Sequence, residues 1–376
     1  MSTITLPAKA NEHPQMRALN IFRDLPAVAD LIELCFASTM DNDGQRYVAD
    51  MRRASRDDGF LRWANHMTET ASLPLTGFVW EENNKIVGNA SLIPFRDRGK
   101  RIYLIANIAV HPDHRRHGIA RALTQRAVEH ARSKRTTALW LHVRDDNPGA
   151  VHLYEELGFQ EIARRTTWIS KPDSFFNQNL IATQGDSNIQ IVSRHPRFWL
   201  TQQDWLRRIH PDALNWYRSF DINSLRPGFM NWLYLLFVDM NIKQWAAVRG
   251  DNLLATLAWT QSVGRSESLF AAAPGQVAEG ISTPGLALPK EHTVLALGAS
   301  VGTDESRAGG EVEAPSEALM NLLTHARRTL PNQSKLTLEY PAGEMVEAFT
   351  AAGFKEHRTL LWMRADGATQ SNLFRK

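Results

Sequence analysis

The stretch His111–Ala122, HPDHRRHGIARA, concentrates residue types that can hold an anion. Arg115, Arg116 and His117 supply positive charge, Gly118 lets a bulky group approach the backbone, and Ala120 keeps the following turn open. A helical pattern runs from His117 to Arg135, with Ile119, Leu123 and Ala127 at four-residue spacing. The first turn of such a helix has amide hydrogens without intrahelical partners and lies at the positive end of the helix dipole. Backbone amides with cationic support are what a phosphate site needs. Taken alone, the same residues describe a solvated basic helix start at least as well.

The elements that must position this segment follow from the pattern on either side. Arg101–Val110 reads as a strand that stops at His111-Pro112, because proline cannot donate to a ladder. Upstream, Arg17–Arg23 reads as a first strand, Leu25–Ala37 as an amphipathic helix, and Gln45–Thr70 as helical. Gly77–Glu82 and Lys85–Pro94 flank the polar turn Glu82–Asn84 as a hairpin. Downstream come a strand at Thr137–Val143, a short helix at Asn147–Leu157 closed by Gly158, and strand residues Phe159–Ser170. Lys171–Asn188 is polar and aperiodic and reads as a linker.

A similar order then begins again. It runs through a strand at Ile189–Ser193, a tryptophan-rich helical region from Thr201 to about Asp239, and a hairpin of Gln244–Arg249 with Leu253–Gln261. Within that region Phe229–Val238 is apolar nearly all round, as a buried helix would be. The order continues with a strand at Thr293–Ser300, a helix at Pro315–Leu330, a strand at Lys335–Glu339, a helix at Gly343–Ala352 and a final strand region, Phe354–Arg364. An offset of 195 carries Gly158-Phe159 onto Gly353-Phe354, His130-Ala131-Arg132 onto His325-Ala326-Arg327, and Leu141 onto Leu336. Matches in three successive elements indicate an internal duplication.

Composition limits the function classes. The chain has 376 residues, enough for two domains, with 43% apolar and 22% charged residues. A net charge of +3 gives no warrant for nucleic-acid binding. No apolar run approaches a membrane span and no signal peptide is visible, so a cytoplasmic location is expected, with no membrane partner. The lone cysteine, Cys35, lies between Leu34 and Phe36 and reads as a small packed side chain; no metal site is expected.

The motifs fall in an order that resembles the GNAT N-acetyltransferase superfamily, and within it the ribosomal-protein alanine N-acetyltransferases. The resemblance rests on Asn107-Ile108-Ala109-Val110, the Arg115-x-x-Gly118-x-Ala120 loop, Ala138–Arg144, and Asn147 through Tyr154 to Gly158-Phe159. It covers about residues 16–170. It implies an α/β (α+β) fold with a mixed, mostly antiparallel sheet flanked by helices, occurring here in tandem. The implied organisation is a catalytic domain at 16–170, a linker at 171–188 and a degenerate copy at 189–366. The implied co-substrate is acetyl-CoA. Ile108, Ala109 and Val110 would line its pantetheine arm and acetyl group, and Arg115, Arg116, His117, Gly118, Ile119 and Ala120 would hold its pyrophosphate. Asn147 would stand beside it.

Within the same resemblance Tyr154 occupies the place of the usual general acid. His142 stands where the alanine acetyltransferases have a glutamate base. An imidazole is a competent base near neutral pH, and the reading of His142 as a structural side chain at the sheet surface is equally open. Glu81, Glu82 and Asp97 are other candidates in the same half.

The second copy lacks these groups. At the 195-residue offset Tyr154 becomes Phe349, Arg115 becomes Gly310, Gly118 becomes Glu313, Ala120 becomes Pro315, His142 becomes Thr337 and Asn147 becomes Ala342. A glutamate in the loop would repel phosphate, and a proline removes an amide donor. The expected activity is acetyl transfer from acetyl-CoA to a primary amine by direct attack, in the N-terminal half. A small-molecule acceptor is the first expectation and a protein N-terminus the second; a non-catalytic acyl-CoA-binding module is the alternative of another class. Neither the acceptor nor the oligomeric state is legible in the sequence.

Overall fold

A computed structural model of the protein describes residues 13–38, 40, 42–56, 76–170, 188–217, 221–228, 240–262, 267–274, 308–330 and 335–367. The chain divides into two compact units, with crossings at Ala163/Arg164 and at Thr359/Leu360.

The first unit opens with β1 (Met16–Ala18), α1 (Ile21–Phe36) and α2 (Asn42–Ala54), then β2 (Thr76–Glu82), β3 (Lys85–Asp97) and β4 (Lys100–Val110). A single 3-10 turn, Pro112–His114, leads to α3 (Ile119–Ser133), β5 (Ala138–Arg144) and α4 (Pro148–Glu156). β6 (Gln160–Ser170) begins in this unit and ends in the other. The sheet is mixed and mostly antiparallel, and β4 with β5 is its parallel pair. Alternation along β2 sorts the side chains by face. Phe78 and Trp80 pack with Ile119, Leu123 and Ala127 of α3, whereas Val79 packs with Ile21, Leu25 and Val28 of α1. The sheet therefore separates α1 and α2 from α3 and α4.

Local chemistry explains where this unit departs from the sequence reading. Residues 19–23 do not extend the first strand. Asn20 Oδ1 accepts from Phe22 N at 3.0 Å and Asn20 N donates to Asp24 Oδ2 at 2.8 Å, a reciprocal cap that starts α1 at Ile21. The turn of the β2–β3 hairpin has Asn83 and Asn84 at φ 50° and 60°, the left-handed pair that a two-residue hairpin loop requires. α3 starts at Ile119 rather than His117, because Gly118 at φ 78° cannot continue a right-handed helix. In β3, a Cβ on Gly88 would lie 2.9 Å from Ile119 Cγ2, so this glycine allows α3 to lie close on the sheet.

The second unit takes the rest of β6, then β7 (Gln190–Ser193), α5 (Trp199–Ile209), β8 (Met240–Arg249), β9 (Asn252–Ser262) and β10 (Ser268–Ala272). It continues with α6 (Ala308–Thr329), β11 (Leu336–Pro341), α7 (Val346–Ala351) and the start of β12 (Lys355–Asp366). Its core is built from Trp259, Leu319, Leu322, Leu323, Phe349 and Phe354. Among the described residues of the tryptophan-rich region, α5 stops at Ile209, two residues before Pro211, and 3-10 turns follow at Asp212–Leu214 and Ile222–Leu225. α7 starts at Val346 because Met345 is left-handed, φ 56°. β10 has no counterpart in the sequence reading. The expected helix beyond residue 56, linker residues 171–187, Phe229–Val238, residues 275–291 and the strand Thr293–Ser300 lie outside the described residues.

The duplication is visible in detail. Each unit has a hairpin, a third strand, a helix, a parallel strand and a short helix in the same order. Both short helices end alike. Phe159 N donates to Tyr154 O at 3.0 Å across Gly158 (φ 88°), and Phe354 N donates to Phe349 O at 2.9 Å across Gly353 (φ 77°).

The last strands are exchanged. The end of β12 pairs antiparallel with β5, from Leu360↔Arg144 to Asp366↔Ala138. The end of β6 pairs antiparallel with β11, from Pro341↔Arg165 to Leu336↔Ser170. The first unit is therefore assembled from two separate stretches of chain, where the sequence suggested the continuous stretch 16–170.

Candidate functional site

The site is organised by a parting of two strands. β4 pairs with β5 only from Ile102↔Ala138 to Leu104↔Trp140, while on its other edge β4 stays paired with β3 as far as Val110↔Gly88. Beyond Leu104 the β5-facing edge of β4 has no strand partner among the described residues.

A bulge bends β4 at this point. Asn89 faces Ala109 and Ser91 faces Ala106, so Asn107 and Ile108 together oppose the single residue Ala90. Asn107 has φ 52°, a conformation that asparagine adopts more readily than most residues. It is held from two sides. The fully buried Asn89 donates through Nδ2 to Asn107 O at 2.9 Å and to Ser91 Oγ at 3.2 Å. Asn107 Nδ2 in turn donates to Tyr47 Oη of α2 at 2.7 Å. Burial pushes the Tyr47 hydroxyl up to about 12, with the Asn107 donor opposing part of that rise.

The loop beyond Val110 is braced to the sheet. His111 N donates to Val87 O at 2.8 Å, and His114 Nδ1 lies 3.0 Å from Glu82 Oε2. Arg115 folds back, its Nε donating to Val110 O at 3.1 Å. Arg116 (φ 68°) and Gly118 (φ 78°) both adopt left-handed backbone, and Arg115, Arg116, His117 and Gly118 are exposed. The first intrahelical bond is Ala122 N to Gly118 O at 3.0 Å, which leaves the amides of Ile119, Ala120 and Arg121 ahead of the ladder. The space where a Cβ of Gly118 would project is open to 4 Å. Ile119 is buried in the core with its side chain against the sheet, so its amide is the group it can offer an anion. Ala109 is likewise buried, and Ile108, Val110 and Ala120 are half-buried.

Tyr154 and His142 lie on opposite faces of the sheet. Tyr154 of α4 is buried beside Leu141, Val143 and Phe159, on the α3 face, and burial pushes its hydroxyl well above the ordinary phenol range. His142 is exposed on β5 between the inward-facing Leu141 and Val143, hence on the α1–α2 face. Its ring is tilted against Trp362, the residue directly opposite on β12, at 5.0 Å between centroids. Asn147 is exposed and caps α4, its Oδ1 accepting from Ala150 N at 3.2 Å.

Several neighbours were not singled out as site residues by the sequence reading. Tyr47, Asn89 and Trp362 needed the fold to bring them in, although two asparagines in otherwise apolar strands, Asn89 and Asn107, are a composition signal against strand propensity. Cys35 Sγ donates to Val110 O at 3.3 Å, and burial raises its thiol despite the nearby Arg115 guanidinium. Glu81 is engaged with Arg17 and Arg23, and Glu82 with His114 and Trp80. Among the described residues no group of three His, Cys, Asp or Glu side chains is placed to hold a metal, and no helix is long and apolar enough to cross a membrane.

Comparison with known proteins adds to this geometry. Residues 39–159 match the acetyltransferase (GNAT) family. The ribosomal protein bS18-alanine N-acetyltransferase of Escherichia coli strain K12 is 40% identical over 67 residues, 18% of this chain and 45% of that protein. Its counterpart from Haemophilus influenzae is 33% identical over 91 residues, 24% of this chain and 59% of that protein. The match thus spans less than two thirds of either relative. A solved tandem GNAT protein from the clavulanic acid biosynthesis pathway is 14% identical, with 95% of this chain and 99% of that one covered and a TM-score of 0.44.

Proposed function

Residues 39–159 belong to the acetyltransferase (GNAT) family, and from that premise we propose that the protein is an acyltransferase that moves an acetyl group from acetyl-CoA to a primary amine. The reaction is direct attack in a ternary complex, with the first unit active and the second a degenerate copy. The observation that carries this reading is the parting of β4 from β5 beyond Leu104, adjoining the uncapped first turn of α3.

The residues present fit acetyl-CoA. An open cradle at Gly118, free amides from Ile119 to Arg121, and exposed Arg115, Arg116 and His117 suit a pyrophosphate. The edge of β4 beyond Leu104, which has no strand partner among the described residues, suits a pantetheine arm and its acetyl group along Ile108, Ala109 and Val110, because strand amides without a strand partner invite pairing. Exposed Asn147, at the start of α4, suits a place beside the bound molecule. Acetyl-CoA supplies an activated thioester when bound.

The chain's own residues supply position and protons. His142, on the α1–α2 face, is suited to receive a proton from an incoming amine. Tyr154, on the other face, is suited to the leaving sulfur. Its proton affinity decides how. A free thiol ionises at about 8.5 and a phenol at about 10, so the phenol is the weaker acid of the two. Tyr154 therefore acts as a hydrogen-bond donor to developing thiolate charge, and a full ground-state proton transfer is uphill. Holding the reactants in attack geometry is worth about 7–11 kcal/mol by itself, so neither side chain needs to carry the whole barrier.

The acceptor is proposed to be a small-molecule amine. The likeness to enzymes named for a ribosomal-protein alanine supports a peptide N-terminus as the second reading. Calorimetric titration with acetyl-CoA and thiol release across a panel of amines and peptides test both. The expected results are one acetyl-CoA per chain, binding abolished by Gly118→Glu, and turnover with at least one small amine. Binding without thiol release would leave the chain a non-catalytic acyl-CoA-binding module; unchanged affinity in Gly118→Glu would refute the site.

A further inference from the structure

The geometry points to Asn89 as a positioning residue that sets the direction of the Ile108 amide. This inference rests on the acetyl-CoA reading above and deepens it. In a trans peptide the carbonyl and the amide hydrogen point to opposite sides of the chain. The carbonyl of the Asn107–Ile108 peptide is the one that Asn89 Nδ2 holds at 2.9 Å, so the Ile108 N–H is directed away from the Asn89 side chain. It belongs to the stretch of β4 that β5 leaves unpaired, where a developing oxyanion would need a donor.

Three features mark this clamp as more than strand packing. Asn107 is left-handed at φ 52°, an orientation that a regular strand residue does not adopt and that its surroundings must maintain. Asn89 is 0% exposed, and its Oδ1 has no hydrogen-bond partner. Burying that acceptor unpaired is costly, and it is accepted because Nδ2 serves Asn107 O and Ser91 Oγ; turning the amide over would set oxygen against the Asn107 carbonyl. Finally, Tyr47 of α2 fixes the Asn107 side chain from the same face, so the bulge peptide is pinned at two points.

The test replaces Asn89 by leucine, close in shape and without a donor, so the unpaired oxygen is removed along with the clamp. Asn89→Leu is expected to bind acetyl-CoA within about twofold of wild type by calorimetry, with kcat lowered about 10–100-fold. The carbonyl band of bound [1-13C]acetyl-CoA, followed by isotope-edited infrared spectroscopy, shifts to lower frequency in the wild type and returns toward its free position in the variant. Equal kcat and an equal carbonyl shift in Asn89→Leu would overturn the clamp while leaving the acetyltransferase reading intact. A wild-type chain that fails to bind acetyl-CoA would overturn that reading and the clamp with it. Independently of any variant, the 15N-isoleucine resonance of Ile108 in the wild type is expected to move more on adding acetyl-CoA than on adding CoA; equal movement overturns the assignment.

Discussion

Tyr154 and Tyr47 both hold their protons through burial, one on each face of the sheet, but they differ in what they serve. Tyr47 anchors the bulge, whereas Tyr154 is proposed to meet the leaving sulfur. Tyr154→Phe keeps the ring and removes the donor; steady-state kinetics are expected to show kcat lowered by about 10²-fold, with acetyl-CoA affinity nearly unchanged by calorimetry. Equal turnover would remove Tyr154 from the chemistry. His142→Ala is expected to be slower without being dead, because positioning remains. The raised tyrosines also have a consequence for stability. A phenol that ionises at about 10 when unfolded and at about 12 when folded keeps its proton better in the native state. Stability is therefore fully present below pH 10 and falls as pH rises from there toward 12. Thermal melts are expected to be flat from pH 7 to 9 and to decline above 10, less steeply in Tyr47→Phe. An identical decline in that variant would exclude Tyr47 as a contributor.

At the scale of elements, α3 is placed by absent side chains. Gly88 lets it approach the sheet and Gly118 starts it. Gly88→Val would put methyl groups where Ile119 and Leu123 already lie, and the expected cost is about 1–3 kcal/mol in denaturant unfolding, with weaker acetyl-CoA binding because the first turn is displaced. Unchanged binding would separate the helix position from the anion site. Much of this was legible in the sequence. The hairpin at Glu82–Asn84, the strand before the loop, the helix after it and the capping Gly158 all follow from short-range pattern and turn chemistry. The start of α1 departs from the local pattern because a reciprocal cap between Asn20 and Asp24 outweighs the apolar residues on either side of Asn20. The bulge was not read at all. Its cause is a set of contacts between Asn107 and residues 18 and 60 positions earlier, which no local pattern reports. Site residues within one motif could be named in advance; those brought in from β3, α2 and β12 could not.

For the whole molecule, the exchanged strands matter most, and they too escape local pattern, since β6 and β12 look alike whichever partner they choose. A chain ending at Thr359 would leave β5 without the partner that Leu360–Asp366 supplies, and His142 without Trp362. Such a chain, and equally a fragment ending at Ser170, is expected to elute as aggregate or to lose slow hydrogen exchange in β5; a monomeric, acetyl-CoA-binding 1–170 fragment would refute this. The same exchange fixes a sequence of events during synthesis. When the anion loop and Tyr154 have left the ribosome, the strand that completes their sheet has not been made. Residues 164–359 come first, which takes roughly 10–40 s at about 5–20 residues per second. Through that interval the edge of β5 must stay uncovered or be held by something else, so a chain stalled late in translation would expose a strand edge already half-buried in its own domain. Activity would then arrive in one step, once Leu360–Asp366 have joined the sheet.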